Sequence, residues 1–250
     1  MGTSHSVNAA AEGKVCHHED LLLDAGNQGV IKSKILGEER VALVRTPLGY
    51  DKNNERYPVL YMTDGASHLG HTAATIEFLA RNGRMPEMIV VAITNTDRDR
   101  DLTPTNEGKG GNALPPGGGA DKFLQFIQTE LISKVERTYR KQPYRLIAGH
   151  SFGGILAVQV LVTKPDLFNV YIAVSPSLGR DNEYTFHELE EFLKSHQELQ
   201  RTLILTVGSD GKGGKRRVFD KVKELLSQHP PKGFVWDSMI PLLPPPQPSV

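Results

Sequence analysis

The sequence predicts an α/β fold of three layers, in which helices cover both faces of a mainly parallel central sheet. Two observations support this fold class. Short, densely apolar runs indicate strands buried on both faces, and stretches with helical periodicity separate them. At 250 residues the chain is long enough for one such domain with a full hydrophobic core. The buried strands are predicted at residues 57–62, 88–93, 144–148, 170–174 and 202–207.

The two ends of the chain differ in composition from this central part. Residues 1–30 are weakly patterned, so we expect a loosely ordered arm there and a single domain over residues 31–250. The last ten residues contain five prolines, which exclude a regular helix. We therefore expect a proline-rich tail at the carboxyl end of the domain.

Two antiparallel strands are predicted ahead of the first buried strand. Residues 31–35 and 40–46 alternate apolar and polar side chains, and Gly37 lies in the turn between them. The first buried strand, YPVLYM, ends in a turn at 63–66, and a helical period follows over 72–81.

The connection after the second buried strand is unusually long. Residues 94–119 are polar and rich in glycine and proline, whereas connections in α/β units commonly have about two to six residues. Because open α/β sheets bind ligands at the carboxyl ends of their strands, we expect this loop to form a lid or a pocket wall. Further helices are predicted at 121–140, 154–161, 183–195 and 219–228, and a last strand at 234–236.

Composition argues against several classes of partner. Lys+Arg 29 balances Asp+Glu 29, so no net field draws the chain toward nucleic acid or an anionic membrane. No stretch approaches a transmembrane helix. The amino terminus has no apolar signal region, which predicts a cytoplasmic protein, although a mature secreted or periplasmic form would look the same. Cys16 is the only cysteine, so neither an intrachain disulfide nor a cysteine-based metal site is expected. No motif of the sequence implies a metal or an organic cofactor.

The most informative motif is the G-x-S-x-G pentapeptide at Gly149–Gly153. An apolar strand precedes it and a buried helix follows, so the chain turns sharply at Ser151. Such a turn exposes the serine hydroxyl above the sheet edge, as a nucleophile requires. Backbone N–H groups of Phe152 and of the Gly65-Ala66 turn are predicted to form an oxyanion hole. The alternative is a glycine-rich turn whose serine only caps the helix.

A serine nucleophile also needs an acid and a base, which follow it in the order Ser, Asp or Glu, His in the α/β-hydrolase arrangement. Asp210 lies in a glycine-rich turn after strand 202–207 and is the predicted acid, with an ordinary turn residue as the alternative and Asp181 as the substitute. His229 is the one histidine after Asp210, and we predict it as the base. It precedes the last strand, however, so a surface position is the competing interpretation.

Three further histidines lie near the serine by topology. His150 precedes the nucleophile, so its side chain should point away from the hydroxyl. His68 and His71 lie on the side of the predicted oxyanion hole. We predict that His68 and His150 line the substrate pocket, and plain structural roles are the alternative.

Six blocks of the sequence, in this order, carry a family resemblance. They are SKILGEER (33–40), YPVLYMTDG (57–65), GRMPEMIVVAITNTDRDRDLTPT (83–105), GGADKFLQFIQTELISKVERTYR (118–140), GHSFGG (149–154) and SPSL (175–178). From about Ser33 to Trp236 the chain resembles the “Putative esterase” family of α/β-hydrolases, which includes enterochelin-esterase and IroE-type enzymes and bacterial carboxylesterases. The resemblance implies an α/β-hydrolase fold with Ser151 as nucleophile. It also implies a pocket wall at 98–105, which includes Arg98 and Arg100.

One position departs from the family pattern. Members of the family place the catalytic histidine in a His-Gly-Ser-Val-like segment after the last strand, whereas the matching stretch here is Gln247-Pro248-Ser249-Val250. Gln247 has no proton-accepting nitrogen, and a truncated end, a divergent end or a loss of activity would each produce this sequence.

Two functions are therefore weighed. The first is a serine carboxylester hydrolase that acts on small or short-acyl esters through an acyl-enzyme. The second is a degenerate hydrolase that retains the pocket and acts as a binding or interaction protein. The sequence leaves open whether the protein is a monomer or a homodimer.

Overall fold

The structure is a computed structural model that describes residues 27–105, 117–208, 214–228 and 230–240. Its central feature is a sheet with the strand order β1-β2-β4-β3-β5-β6-β7-β8. The strands are β1 (Asn27–Lys32), β2 (Glu39–Arg45), β3 (Tyr57–Met62), β4 (Ile89–Ile93), β5 (Lys141–His150), β6 (Val170–Val174), β7 (Thr202–Thr206) and β8 (Val235–Met239). Within this sheet β2 runs antiparallel to both of its neighbours, and β3 to β8 are mutually parallel.

Helices flank the sheet on both faces. They are α1 (Gly65–Arg81), α2 (Arg98–Leu102), α3 (Ala120–Phe126), α4 (Ile132–Thr138), α5 (Phe152–Thr163), α6 (Tyr184–Ser195) and α7 (Gly214–Gln228). A π-helical turn, Ile127–Leu131, joins α3 to α4. The helix predicted over 121–140 is therefore present. Within it the backbone hydrogen-bond pattern changes from α to π and back, a change that sequence periodicity does not reveal.

The core has two parts, one on each face of the sheet. On one face, Leu60 and Met62 pack with the buried side chains of α1. On the other, Tyr61 and Ile147 belong to a larger cluster that includes side chains from α3 to α7. Successive residues of a strand point to opposite faces, so β3 is buried throughout, as its continuous apolar run predicts. The predicted three-layer α/β fold is confirmed.

Several predicted boundaries differ from the structure. Strand β1 begins at Asn27, inside the segment expected to be a loose arm, because it pairs with β2 along its whole length. Helix α1 begins at Gly65 rather than at 72. Helix α2 forms within the predicted irregular loop, and the side chain of Asp97 caps it by accepting a hydrogen bond from the Arg100 N–H at 3.1 Å.

The parallel strands β3 to β8 all end at one edge of the sheet, here called the carboxyl edge. The connections that follow β3, β5, β6 and β7 therefore meet there, which is where open α/β sheets place their sites. None of the helices in the described part of the chain is long and apolar enough to span a membrane.

Candidate active site

Ser151 joins β5 to α5 at the carboxyl edge and has an unusual backbone conformation. Its φ is 58° and its ψ is −109°, a combination that non-glycine residues adopt only where the surrounding structure enforces it. The Ser151 N–H donates to the Val174 carbonyl at 2.9 Å, and the Ser151 carbonyl accepts from the Ile155 N–H at 3.1 Å. The serine hydroxyl makes no capping hydrogen bond to α5. This observation disfavours the interpretation of Ser151 as a simple helix cap.

The glycines of the pentapeptide permit this sharp turn. A Cβ atom built on Gly149 would lie 2.2 Å from the carbonyl carbon and oxygen of Gly153. One built on Gly153 would lie 2.1 Å from the Thr63 hydroxyl oxygen. Both distances are far below van der Waals contact, so strand, turn and helix approach one another more closely than side chains at these positions would allow.

Two helices begin directly after the neighbouring strands β3 and β5. Helix α5 begins at Phe152, and α1 begins at Gly65, directly after the left-handed residue Asp64. Neither helix has a side-chain cap at its first turn. Because β3 and β5 are paired in parallel, both N-termini lie at the carboxyl edge. The N–H groups of Phe152, Gly65 and Ala66 therefore belong to first turns at the same edge of the sheet, and their role in an oxyanion hole stays a prediction.

Arg98 links these two N-termini. Its Nε donates to Asp64 Oδ1 at 2.6 Å, and its Nη2 donates to Asp64 Oδ2 at 3.1 Å and to the His150 carbonyl at 3.2 Å. Asn95 Nδ2 also donates to Asp64 Oδ1, at 2.6 Å. The predicted pocket-wall residue Arg98 therefore holds the turn after β3 against the turn after β5, and its hydrogen-bonding capacity is largely used within the protein.

The Asp64 carboxylate is buried, with 6% of the residue exposed. Burial acts to raise its pKa, but the hydrogen bonds from Arg98 and Asn95 and the charge of Arg98 outweigh it and hold the Asp64 pKa below its ordinary value. Asp64 is thus an ionised structural carboxylate at neutral pH. Its hydrogen bonds with Arg98 and Asn95 anchor the residue that directly precedes α1.

The hydroxyl of Ser151 contacts a second serine. Ser151 Oγ lies 3.2 Å from Ser177 Oγ, and the Ser177 N–H donates to the Ser151 carbonyl at 3.3 Å. Ser177 follows β6, the strand beside β5. Among the described residues no imidazole is hydrogen-bonded to the Ser151 hydroxyl, so Ser177 is its polar partner there.

Three histidines line a cleft of about 260 Å³ beside β5, together with Thr72 and Val174. The ring centroids of His68 and His71 are 5.2 Å apart, and those of His68 and His150 are 6.0 Å apart. Burial, followed by the charges of His68 and Lys215, lowers the pKa of His150 below its ordinary value. His68 and His150 thus line the same cleft, and their contact with substrate stays a prediction. Because its pKa is lowered, His150 is neutral at physiological pH.

The predicted acid and base, Asp210 and His229, lie outside the described residues. The strand before Asp210, β7, ends at the same edge as the serine, because Ser175 N–H donates to the Thr206 carbonyl at 2.8 Å. The chain after His229 is at the opposite edge: Lys232 bridges to Glu198, ahead of β7. This course of the chain does not favour His229 as the base.

The substitute acid and the second predicted pocket arginine have other partners. Asp181 accepts a hydrogen bond from Arg180 Nε at 3.3 Å and another from Thr105. Arg100 donates to Glu38 and to Asp101, both at 2.7 Å. The described residues contain no group of three metal-ligating side chains arranged to hold an ion.

Ser177 and Arg180 are close to the serine turn but were not predicted as site residues. Ser177 touches Ser151 directly, and the Arg180 Cζ lies 4.8 Å from the centroid of the Phe152 ring. The block SPSL, which precedes Arg180, was the available signal. Its position after a buried strand places it at the carboxyl edge.

The strand order and the strained serine turn define a protein of the α/β-hydrolase class. The family model described as “Putative esterase” matches residues 33–229. The chain belongs to this esterase family, and the resemblance inferred from the sequence blocks is confirmed.

Individual relatives extend this assignment. The chain is 33% identical over 196 residues to the ferri-bacillibactin esterase BesA of Bacillus subtilis, a match that covers 69% of this chain and 66% of the relative. It is 33% identical over 175 residues to the siderophore triacetylfusarinine C esterase of Aspergillus fumigatus, with 64% and 58% covered. The chain thus spans less than two thirds of either relative. The structure of an IroE-like serine hydrolase from Shewanella oneidensis matches with a TM-score of 0.79 and 31% identity, over 86% of this chain and 73% of that chain.

Proposed function

We propose that the protein is a serine carboxylester hydrolase that works through an acyl-enzyme on Ser151. The observation that carries this proposal is the strained backbone of Ser151. Its hydroxyl makes no capping hydrogen bond to α5, and the neighbouring helix α1 also begins without a side-chain cap. A backbone held in this way presents the nucleophile and the oxyanion donors in fixed positions before substrate arrives.

The reaction divides into two steps. Ser151 Oγ adds to the ester carbonyl carbon, and the N–H groups of Phe152 and of the Gly65-Ala66 turn stabilise the resulting oxyanion. The carbonyl re-forms as the alcohol leaves, carrying the serine proton, and the acyl group remains on Ser151. Water then attacks the acyl-enzyme and releases the carboxylic acid. Asp210 remains the proposed acid, because β7, the strand that precedes it in the sequence, ends at the carboxyl edge. The base is not assigned to His229.

The substrate class proposed is a small ester, and among natural compounds the ester backbone of a siderophore. Support comes from the two relatives of 33% identity, both named as esterases of siderophores. Short-acyl aryl esters are suitable first probes because they report on the serine chemistry without demands on the rest of the pocket.

The test compares wild type, Ser151→Ala and the control Ser133→Ala. Ser133 is a residue of α4 and lines a separate groove. Hydrolysis of p-nitrophenyl acetate and butyrate is measured, and a fluorophosphonate probe is mapped by mass spectrometry. We expect turnover and labelling at Ser151 in wild type and in the control, with both lost in Ser151→Ala. Wild-type turnover no faster than that of Ser151→Ala would refute the proposal.

A second candidate function is a binding protein built on a hydrolase scaffold. The contact that favours it is the 3.2 Å pairing of Ser151 Oγ with the Ser177 hydroxyl, a group that is not a general base at neutral pH. This function predicts ligand-induced thermal stabilisation of both wild type and Ser151→Ala, with no difference in ester turnover between them.

A further inference from the structure

Arg180 is a buried cation whose terminal nitrogens have no hydrogen-bond partner among the described residues. Its side chain is 7% exposed. Nε donates to Asp181 Oδ2 at 3.3 Å, whereas Nη1 and Nη2 are buried without an acceptor. Removing guanidinium N–H groups from water without replacing their hydrogen bonds is unfavourable. A ligand that supplies an acceptor to these groups would therefore recover part of that cost.

The position of Arg180 relates it to the ester chemistry. Its Cζ lies 4.8 Å from the centroid of Phe152, the residue directly after the nucleophile. The Arg98 Cζ also contacts this ring, at 5.2 Å. The two arginines differ in their hydrogen bonds. Arg98 donates to Asp64 and to the His150 carbonyl, whereas the terminal nitrogens of Arg180 have no acceptor among the described residues.

Pairing with Asp181 does not by itself account for Arg180. That pair uses Nε alone, and Asp181 Oδ2 also accepts from Thr105. The cation–π contact with the Phe152 ring uses none of the guanidinium N–H groups as a conventional hydrogen-bond donor to an oxygen. The turn that carries Asp181 has three successive residues with positive φ, 51° at Asp181, 55° at Asn182 and 64° at Glu183. Such backbone conformations are unfavourable for non-glycine residues and are concentrated at active sites and ligand-binding segments.

We propose that the terminal N–H groups of Arg180 form a subsite for a carboxylate group carried by the ester substrate. Two adjacent guanidinium nitrogens match two oxygens of a planar anion, the geometry for which arginine is suited. Because Arg180 is already desolvated on folding, the ligand does not have to displace water from it. The proposal rests on the proposed esterase function for its role in turnover, but anion binding at Arg180 can be measured without turnover.

The kinetic test uses a matched pair of esters, mono-p-nitrophenyl adipate and its methyl ester, which differ in one carboxylate. For wild type we expect a higher kcat/KM on the anionic ester. Arg180→Gln should lower kcat/KM for the anionic ester by about tenfold to a hundredfold, the range of charge-assisted hydrogen bonds, and change the neutral ester by less than about threefold. Arg180→Lys should restore part of the preference for the anionic ester, because lysine keeps the positive charge but lacks the two parallel N–H donors of the guanidinium.

A binding test separates this proposal from the esterase function. In the Ser151→Ala background, monomethyl adipate and dimethyl adipate are titrated and followed by NMR, so that no turnover is needed. We expect the monoanion to bind more tightly, and Arg180→Gln to remove that difference. Absence of catalysis with this difference intact would refute the esterase proposal and leave the subsite standing.

Asp181→Asn is the control for a purely structural role. If the role of Arg180 is only to pair with Asp181, Asp181→Asn will lower kcat/KM for the anionic ester as Arg180→Gln does. If Arg180 binds the substrate, Asp181→Asn will retain the preference for the anion. Thermal unfolding checks that the variants are folded. Should Arg180→Gln fail to fold, the wild-type comparison decides, since equal binding and equal kcat/KM for the charged and neutral esters would overturn the subsite.

Discussion

Replacing Arg98 with glutamine tests whether the site depends on the link between its two helix N-termini. The substitution removes the bonds to both Asp64 oxygens and to the His150 carbonyl. Asp64 remains buried and keeps only Asn95 among the side-chain donors described. An unpaired buried carboxylate should destabilise the folded state and loosen the first turn of α1.

The magnitude follows from the exposure of the two partners. Removing one partner of a fully buried ion pair costs about 3–5 kcal/mol, and a charge-assisted hydrogen bond contributes about 1.5–3 kcal/mol. Asp64 is buried, but the Arg98 side chain is 33% exposed, so water can replace part of the interaction. We therefore expect a loss of about 2 kcal/mol in the free energy of unfolding, or about 4–8 °C in Tm for a chain of this length.

Urea and thermal unfolding of wild type, Arg98→Gln, Asp64→Asn and the double variant would measure this coupling. The exposed pair of Arg81 and Glu77 on α1 is the control, and Arg81→Gln should cost less than about 0.5 kcal/mol. Arg98→Gln should lower kcat for ester hydrolysis more than it raises KM, because the proposed oxyanion donors lose their alignment. A loss for Arg98→Gln no larger than that for Arg81→Gln would refute the linking role.

The same pair predicts a pH dependence. The Asp64 pKa is lowered in the folded protein, so its contribution to stability is present above the unfolded value of about 3.9 and is lost as pH falls through the folded pKa. The difference in unfolding free energy between wild type and Arg98→Gln should therefore shrink below about pH 4. A difference that stays constant down to pH 2 would contradict this account.

Three further predictions concern the serine turn. Gly149→Ala should lower the free energy of unfolding in urea by more than about 3 kcal/mol, because the added Cβ would lie 2.2 Å from backbone atoms of Gly153. The control Gly29→Ala, whose Cβ would lie 3.7 Å from its nearest neighbour, should change the free energy of unfolding by less than about 1 kcal/mol. Because the His150 pKa is lowered, wild-type stability should fall as pH drops below about 6.5, and His150→Gln should remove that part of the fall. Ser177→Ala should slow fluorophosphonate labelling of Ser151 about threefold to fivefold, since a neutral hydrogen bond contributes about 1 kcal/mol.

The sheet could be predicted from the sequence because its signal is local and strong. Buried parallel strands need continuous apolar runs, and residues 57–62 and 170–174 show such runs at the observed strand bounds. The start of α1 could not be predicted in this way. Its first turns, from Gly65 to His71, contain few apolar residues, and the helix there depends on the preceding strand and the sheet edge rather than on periodicity.

The candidate site was predicted in part, for a related reason. The pentapeptide and its flanks indicate Ser151 and the Phe152 N–H, because these residues are adjacent in sequence. The partners of the serine turn come from distant segments: Arg98 is 52 residues from His150, and Ser177 is 26 from Ser151. Such contacts depend on which strands are neighbours and on where each loop turns back, neither of which leaves a periodic signal in the sequence.

Backbone strain connects these observations. The non-glycine residues with positive φ in the described part of the chain are Asp64, Ser151, Ser175, Asp181, Asn182 and Glu183. All of them lie in the connections after β3, β5 and β6, at the carboxyl edge. Positive φ is unfavourable for such residues, so its confinement to one edge of a regular sheet indicates that the edge is built for a task other than stability. Asp64 and Ser151 shape the proposed oxyanion hole and nucleophile, and the turn at 181–183 carries the partner of Arg180. The strained residues therefore place the proposed nucleophile and the turn beside the proposed anion subsite along one edge of the sheet.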